Sequence, residues 1–250
     1  MRLSSPAPPS ATPSSGPHQA LQDAALRAAA LLALCSLVLL ALVEASWQPL
    51  MALDGEIART THRWAVREDG VTAVARILTD WFWDPITLRA LTVAVAVGLV
   101  WRGAQWWPAL WLVATVAFAA VLQQVLKAAV DRARPVWSDP VDDARFAAFP
   151  SGHAMTATVC CGLLLWVVRR QGVGPRRWRA AVAVAVVSVV GVGLTRVWLG
   201  VHWLSDVVGG WLLGSLVVAV AVAVFAGVPR LREAGKRPAA DAGPGLRSRT

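Results

Sequence analysis

Charge is scarce in this chain: of its 250 residues only 16% are Asp, Glu, Lys or Arg, whereas 56% are hydrophobic. A soluble domain carries roughly a quarter charged residues, so this balance, with a mean hydropathy of +0.54, excludes an ordinary soluble domain. Cysteine is scarcer still. The three that occur, Cys35, Cys160 and Cys161, all lie inside apolar runs, which excludes a disulfide framework and any metal-ligand spacing. They read as small core or lipid-depth residues. Acidic residues are also short, 15 against 24 basic ones, for a net charge of +9. The cations collect in short loops and in the tail, not in a groove-binding patch with interleaved aromatics, so no nucleic-acid partner is expected.

What the chain does have is apolar runs that approach the roughly 20 residues needed to cross a bilayer as a helix. They predict an all-α, polytopic membrane helical bundle of about six transmembrane helices, near 24–44, 85–101, 107–128, 152–168, 180–195 and 203–227. The Pro- and Ser-rich residues 1–22 predict a disordered cytoplasmic extension. Residues 23–228 then form one six-span domain, and 229–250 a basic cytoplasmic tail. Val43-Glu44-Ala45 could pass for a signal-peptidase site, but the run before it is long for a signal's core, so a retained anchor is expected. Between the first two spans, Leu53, Ile57 and Trp64 predict the apolar stripe of an interfacial helix, with His62 at the surface.

Orientation follows from the cations. The loop 169–179 is the most basic short loop, and the positive-inside rule places it, with both termini, in the cytoplasm of a multi-pass cell-membrane protein. The first loop, the loop 131–149 and the junction between the fifth and sixth spans then lie outside. Trp47, Trp81, Trp83, Trp101, Trp106, Trp107, Trp178, Trp198 and Trp203 sit near span ends, as interfacial belts require.

Three polar stretches converge on that outer face. Lys127 and Arg134 are seven residues apart at the exit of the third span, on one helical face, and Pro135 turns the chain at the second cation. Pro150-Ser151-Gly152-His153 opens the fourth span with an N-cap hydroxyl and free amides backed by the helix dipole, a terminus that binds phosphate readily. Between the fifth and sixth spans stand Arg196, His202 and Asp206, the last two one helical turn apart, so that the carboxylate can hold the imidazole in one tautomer. Cations and amides bind a phosphoryl group; one histidine can attack phosphorus while the other protonates the departing oxygen. The set lacks the carboxylates a Mg²⁺ site needs, so neither metal nor other cofactor is expected.

Lys127…Arg134-Pro135, Pro150-Ser151-Gly152-His153 and Arg196…His202…Asp206 resemble, in order and spacing, the three signature motifs of the type 2 phosphatidic acid phosphatase family. That family includes undecaprenyl diphosphate phosphatases and vanadium-dependent haloperoxidases. The resemblance implies that His202 is the nucleophile of a covalent phosphohistidine, Asp206 orients it and His153 is the general acid. It also implies that Lys127, Arg134, Ser151, Gly152 and Arg196 hold the phosphate. Two positions depart from the family habit: Thr195, where Ser is frequent, and Leu204, where Pro is. Gly209 and Gly210 keep the family's small residues and should allow close helix packing.

A site at the outer interface, at the mouth of a helix bundle, suits an amphiphile whose phosphate reaches the cage while its chain stays in the bilayer. The expected activity is metal-independent hydrolysis of lipid phosphates or diphosphates: isoprenoid carrier diphosphate, phosphatidic acid or phosphatidylglycerol phosphate. A lipid phosphotransferase working through the same histidine is one alternative, and a non-catalytic anionic-lipid transporter or binder is another. A binding site would need the cations, but not an oriented imidazole and a proton donor.

Overall fold

A computed structural model describes residues 17–228, and all of its regular structure is helical. In chain order the helices are α1 (Pro17–Glu44), α2 (Gln48–Arg67), α3 (Asp69–Ile77), a π-helical turn (Leu78–Phe82), α4 (Pro85–Gly103), α5 (Trp106–Val130), α6 (Gly152–Arg170), α7 (Pro175–Trp198) and α8 (Leu204–Gly227). Six segments are long and apolar enough to cross a membrane: α1, the run Asp69–Gly103, and α5 to α8. The expected second span corresponds to α4 and is preceded by α3 and the π-helical turn within one longer apolar run. Helix α1 starts at Pro17, so the end of the extension expected to be disordered over 1–22 is already helical; residues 1–16 and the tail 229–250 lie outside the described residues.

Helix ends follow local chemistry. Asp84 caps α4, its Oδ2 accepting from the backbone N–H of Ile86 at 2.7 Å and of Thr87 at 3.0 Å, with Pro85 in the first turn where no N–H is needed. Helix α5 stops at Val130 because Asp131 turns left-handed, with φ of 40°. Arg134 therefore lies beyond the helix. Lys127 and Arg134 do not share a helical face as their spacing suggested; the irregular chain 131–149 folds back and brings them together.

Helix α6 is the most enclosed of the spans, packed by α4, α5, α7 and α8. Its crossing with α8 is close because Gly210 offers no side chain: a Cβ there would stand 2.8 Å from the carbonyl oxygen of Ser151 and 3.0 Å from Cβ of Ala154. That approach sets the N-terminus of α6 beside the N-terminus of α8, where the Ser151 amide donates to the Asp206 carbonyl at 3.0 Å.

Helix α2 forms, and the face it turns to the protein is not its apolar stripe. Leu53 and Trp64 are exposed, and the enclosed stripe is Asp54, Ala58, His62 and Ala65. His62, expected at the surface, is buried: its ring stacks on Trp137 at 4.0 Å and its Nε2 lies 3.1 Å from Asp139 Oδ1. Helix α2 packs against α7 and α8, which turns His62 toward Trp137 of the loop 131–149.

Candidate active site

A cavity of about 440 Å³ opens at the end of the bundle where α6 and α8 begin and α5 and α7 end. Lys127, Arg134, Gly152, His153, Arg196 and His202 all line it. Ser151 and Asp206 stand directly behind, fully enclosed.

His202 sits in the short turn between α7 and α8. The turn depends on Gly200, whose φ of 69° is left-handed and whose missing Cβ leaves room for Trp137; a Cβ would fall 2.6 Å from Nε1 of that indole. The indole donates to the Gly200 carbonyl at 2.8 Å, which ties the loop to the turn. Three residues into α8, Asp206 places Oδ2 at 2.9 Å from the Trp203 amide and 3.3 Å from His202 Nδ1. A carboxylate is favoured at this point because the free amides and the positive end of the helix dipole converge there. The other ring nitrogen, Nε2, lies 3.2 Å from Arg134 Nη1. A guanidinium can only donate, so Nε2 carries a lone pair and the proton sits on Nδ1, facing Asp206. Burial, then Arg134, Arg196 and Lys127, hold the His202 imidazole well below its usual 6.5, which keeps it neutral.

The cations are held by backbone. Lys127 Nζ donates to the Ala147 carbonyl. Arg134 donates to the carbonyls of Phe146, at 2.8 Å, Arg145, at 3.1 Å, and Val201. Burial and Arg196 lower Arg134 to about 10, so it stays charged at neutral pH. Arg196 pairs with Asp142 at 3.4 Å through Nη1, while its buried Nε has no partner. Ser151 Oγ is likewise buried and unpartnered. Two unsatisfied buried donors beside one cavity call for an acceptor-rich ligand. A Cβ at Gly152 would meet Gln123 Nε2 at 2.8 Å, so that side chain would have to shift. The Thr195 hydroxyl turns back onto its own helix, bonding the Val192 carbonyl at 2.8 Å.

Behind the site lies a network that joins the first and third motifs to α2. Arg132 Nη1 donates to Asp206 Oδ1 at 2.6 Å and to Ser205 Oγ at 2.7 Å, and Arg132 Nη2 donates to Asp54 Oδ2 at 2.8 Å. Asp54 also accepts from the Ser205 amide at 2.9 Å and from its hydroxyl, which caps α8 from across the bundle. The i, i+4, i+8 run of Asp54, Ala58 and His62 is a small and polar stripe, and it was the one signal in the sequence that pointed to a buried polar face on α2. Among the described residues no group of three or more His, Cys, Asp or Glu side chains is disposed to hold a metal ion.

Comparison with known proteins agrees with this architecture. Residues 108–230 match the model of the PAP2 superfamily. The chain is 31% identical over 131 residues to phosphatidylglycerophosphatase B of Bacillus subtilis, covering 52% of this chain and 64% of that protein, so it spans less than two thirds of that relative. It is 33% identical over 173 residues to decaprenylphosphoryl-5-phosphoribose phosphatase of Mycobacterium tuberculosis, covering 67% of this chain and 88% of that one. The crystal structure of a transmembrane PAP2 type phosphatidylglycerolphosphate phosphatase from Bacillus subtilis superposes with a TM-score of 0.72 at 25% identity, over 81% of this chain and 98% of that one. With likeness in sequence and fold extending over most of its spans, the chain belongs to the PAP2 superfamily.

Proposed function

We propose that this protein is an integral membrane phosphatase that removes phosphate from lipid phosphates through a phosphohistidine on His202. The observation that carries the reading is the fixed tautomer of His202, with Nδ1 toward Asp206 and the Nε2 lone pair toward the cation-lined cavity. In the first half-reaction Nε2 bonds to phosphorus, the ester P–O bond breaks, and the leaving oxygen takes a proton from His153. In the second, water attacks phosphorus, His153 takes the water's proton, and the P–N bond breaks to return the lone pair to Nε2. The imidazolium formed on attack is stabilised by Asp206. Lys127, Arg134, Arg196, the Ser151 hydroxyl and the Gly152 amide hold the phosphoryl oxygens, with Ser151 Oγ and Arg196 Nε free to donate.

Lipid substrates are supported by the position of the cavity among membrane-crossing helices and by relatives named for phosphatidylglycerophosphate and decaprenylphosphoryl-5-phosphoribose. The basic loop 169–179 lies at the opposite ends of α6 and α7 from the site, which supports an extracytoplasmic site and cytoplasmic termini. Acid–base quench of the full chain turning over a lipid labelled in its terminal phosphate tests the mechanism. Label should appear on protein in an acid-labile, base-stable form and vanish in His202→Gln; turnover without any protein-bound label at short times would rule the intermediate out.

A further inference from the structure

Gln123 stands four residues before Lys127, on the same face of α5, and lines the cavity although its side chain is buried. Its amide is held from two further helices. Arg89 of α4 donates through Nη2 to Thr156 Oγ1 of α6 at 3.1 Å, and the Thr156 hydroxyl donates in turn to Gln123 Oε1 at 3.4 Å. Thr158 and Thr195 turn their hydroxyls onto carbonyls of their own helices, whereas Thr156 links α4 to α5. The direction of this chain is fixed at its first member. A guanidinium can only donate, so the hydroxyl accepts from it and passes its own hydrogen to the amide oxygen. The other end of the amide, Nε2, is then the donor. It has no hydrogen-bond partner among the described residues, and it faces Gly152: a Cβ on that glycine would stand 2.8 Å from Nε2 against 3.5 Å from Oε1.

Arg89, Gln123 and Thr156 all lie outside the three motif stretches. An enclosed amide whose N–H groups have no acceptor is costly unless a ligand supplies one, and the space it faces is the cavity beside the Gly152 amide. We infer that Gln123 Nε2 is a further donor to the phosphoryl oxygens, and that Arg89 and Thr156 are positioning residues which hold the Gln123 amide with its N–H groups toward the cavity. The transferred phosphoryl group spreads its charge over three equatorial oxygens, so a donor set in place beforehand stabilises it without reorganisation at the moment of reaction. This rests on the phosphatase reading above and adds one residue to its phosphate cage and two behind it.

The test measures kcat, KM and inhibition by orthovanadate for the full chain acting on a lipid monophosphate in mixed micelles. Gln123→Met keeps the length of the side chain and removes the donors. It should lower kcat by about 100-fold and raise the vanadate inhibition constant by about tenfold, with KM and melting temperature little changed. Gln123→Glu keeps an acceptor for Thr156 but puts an oxygen where the donor was, and should lose at least as much. Thr156→Val should lower kcat by about tenfold, and Thr156→Ser, which keeps the hydroxyl, should recover most of that loss. Natural kcat in either Gln123 variant, or a reduced kcat with natural vanadate inhibition, overturns the role of Gln123. Thr156→Ser as slow as Thr156→Val overturns the positioning through Thr156. Both results leave the phosphatase reading intact, whereas no phosphate release by the natural protein overturns that reading and the inference with it.

Discussion

Arg132 donates to Asp206 at 2.6 Å, and through that contact a residue of the loop after α5 holds the carboxylate that orients His202. The same guanidinium reaches Asp54 at 2.8 Å, so one cation serves two enclosed carboxylates from different helices. Breaking such a pair by removing one partner leaves a buried charge uncompensated, at a cost of about 3–5 kcal/mol.

Arg132→Gln should therefore lower the melting temperature of the detergent-purified protein and reduce kcat by about 10–100-fold, the usual effect of losing a group that supports a ligand or catalytic residue from behind. KM should change little, because Arg132 does not line the cavity. A variant that loses affinity but keeps kcat would show that Arg132 binds substrate and does not position Asp206.

Asp206→Asn should keep the fold, since an amide can still accept from the Trp203 N–H, yet lower turnover by about 10⁴-fold because the imidazole loses the carboxylate that fixes its tautomer. Near-normal turnover would remove Asp206 from the mechanism.

The residues of the candidate site stand out in the sequence because each piece is local. Ser151, Gly152 and His153 are consecutive, His202 and Asp206 are four apart, and Lys127 and Arg134 bracket a helix end. The spans were legible too, because lipid-facing helices must be apolar over their whole length. The supporting layer was not. Asp54 meets Ser205 across 151 residues of chain, and only its i, i+4, i+8 spacing with Ala58 and His62 sets it apart from a solvated face. Arg132 lies inside the first motif, but among the polar residues of a loop its partner could not be known. His62 reads as a surface residue in the sequence because its burial depends on Trp137, which reaches it only once the loop 131–149 has folded back.

Gly200→Ala probes that loop contact. A side chain in the left-handed region costs about 1–2 kcal/mol, and here the new methyl would also press on the Trp137 ring. The expected result is a lower melting temperature with a fall in kcat, as the turn carrying His202 shifts; Gly174→Ala, in extended backbone and open space, should do neither.

The His202 proton gives a pH dependence with a definite sign. Its folded-state pKa is held well below 6.5, so below that pH the unfolded chain binds a proton that the native site refuses. Stability from this group is complete above about pH 6.5 and is lost progressively as pH falls. Thermal melts from pH 7.5 down to 5 should show a decline that is shallower in His202→Gln; identical slopes would mean that the imidazole titrates freely in the native state.

The most direct measurement is phosphate release by the detergent-purified protein from a lipid monophosphate in the presence of EDTA, beside a His202→Ala variant of equal melting behaviour. Release by the natural protein and none by the variant is the expected result. Undiminished release by the variant, or release that EDTA abolishes, would contradict a metal-independent reaction through His202.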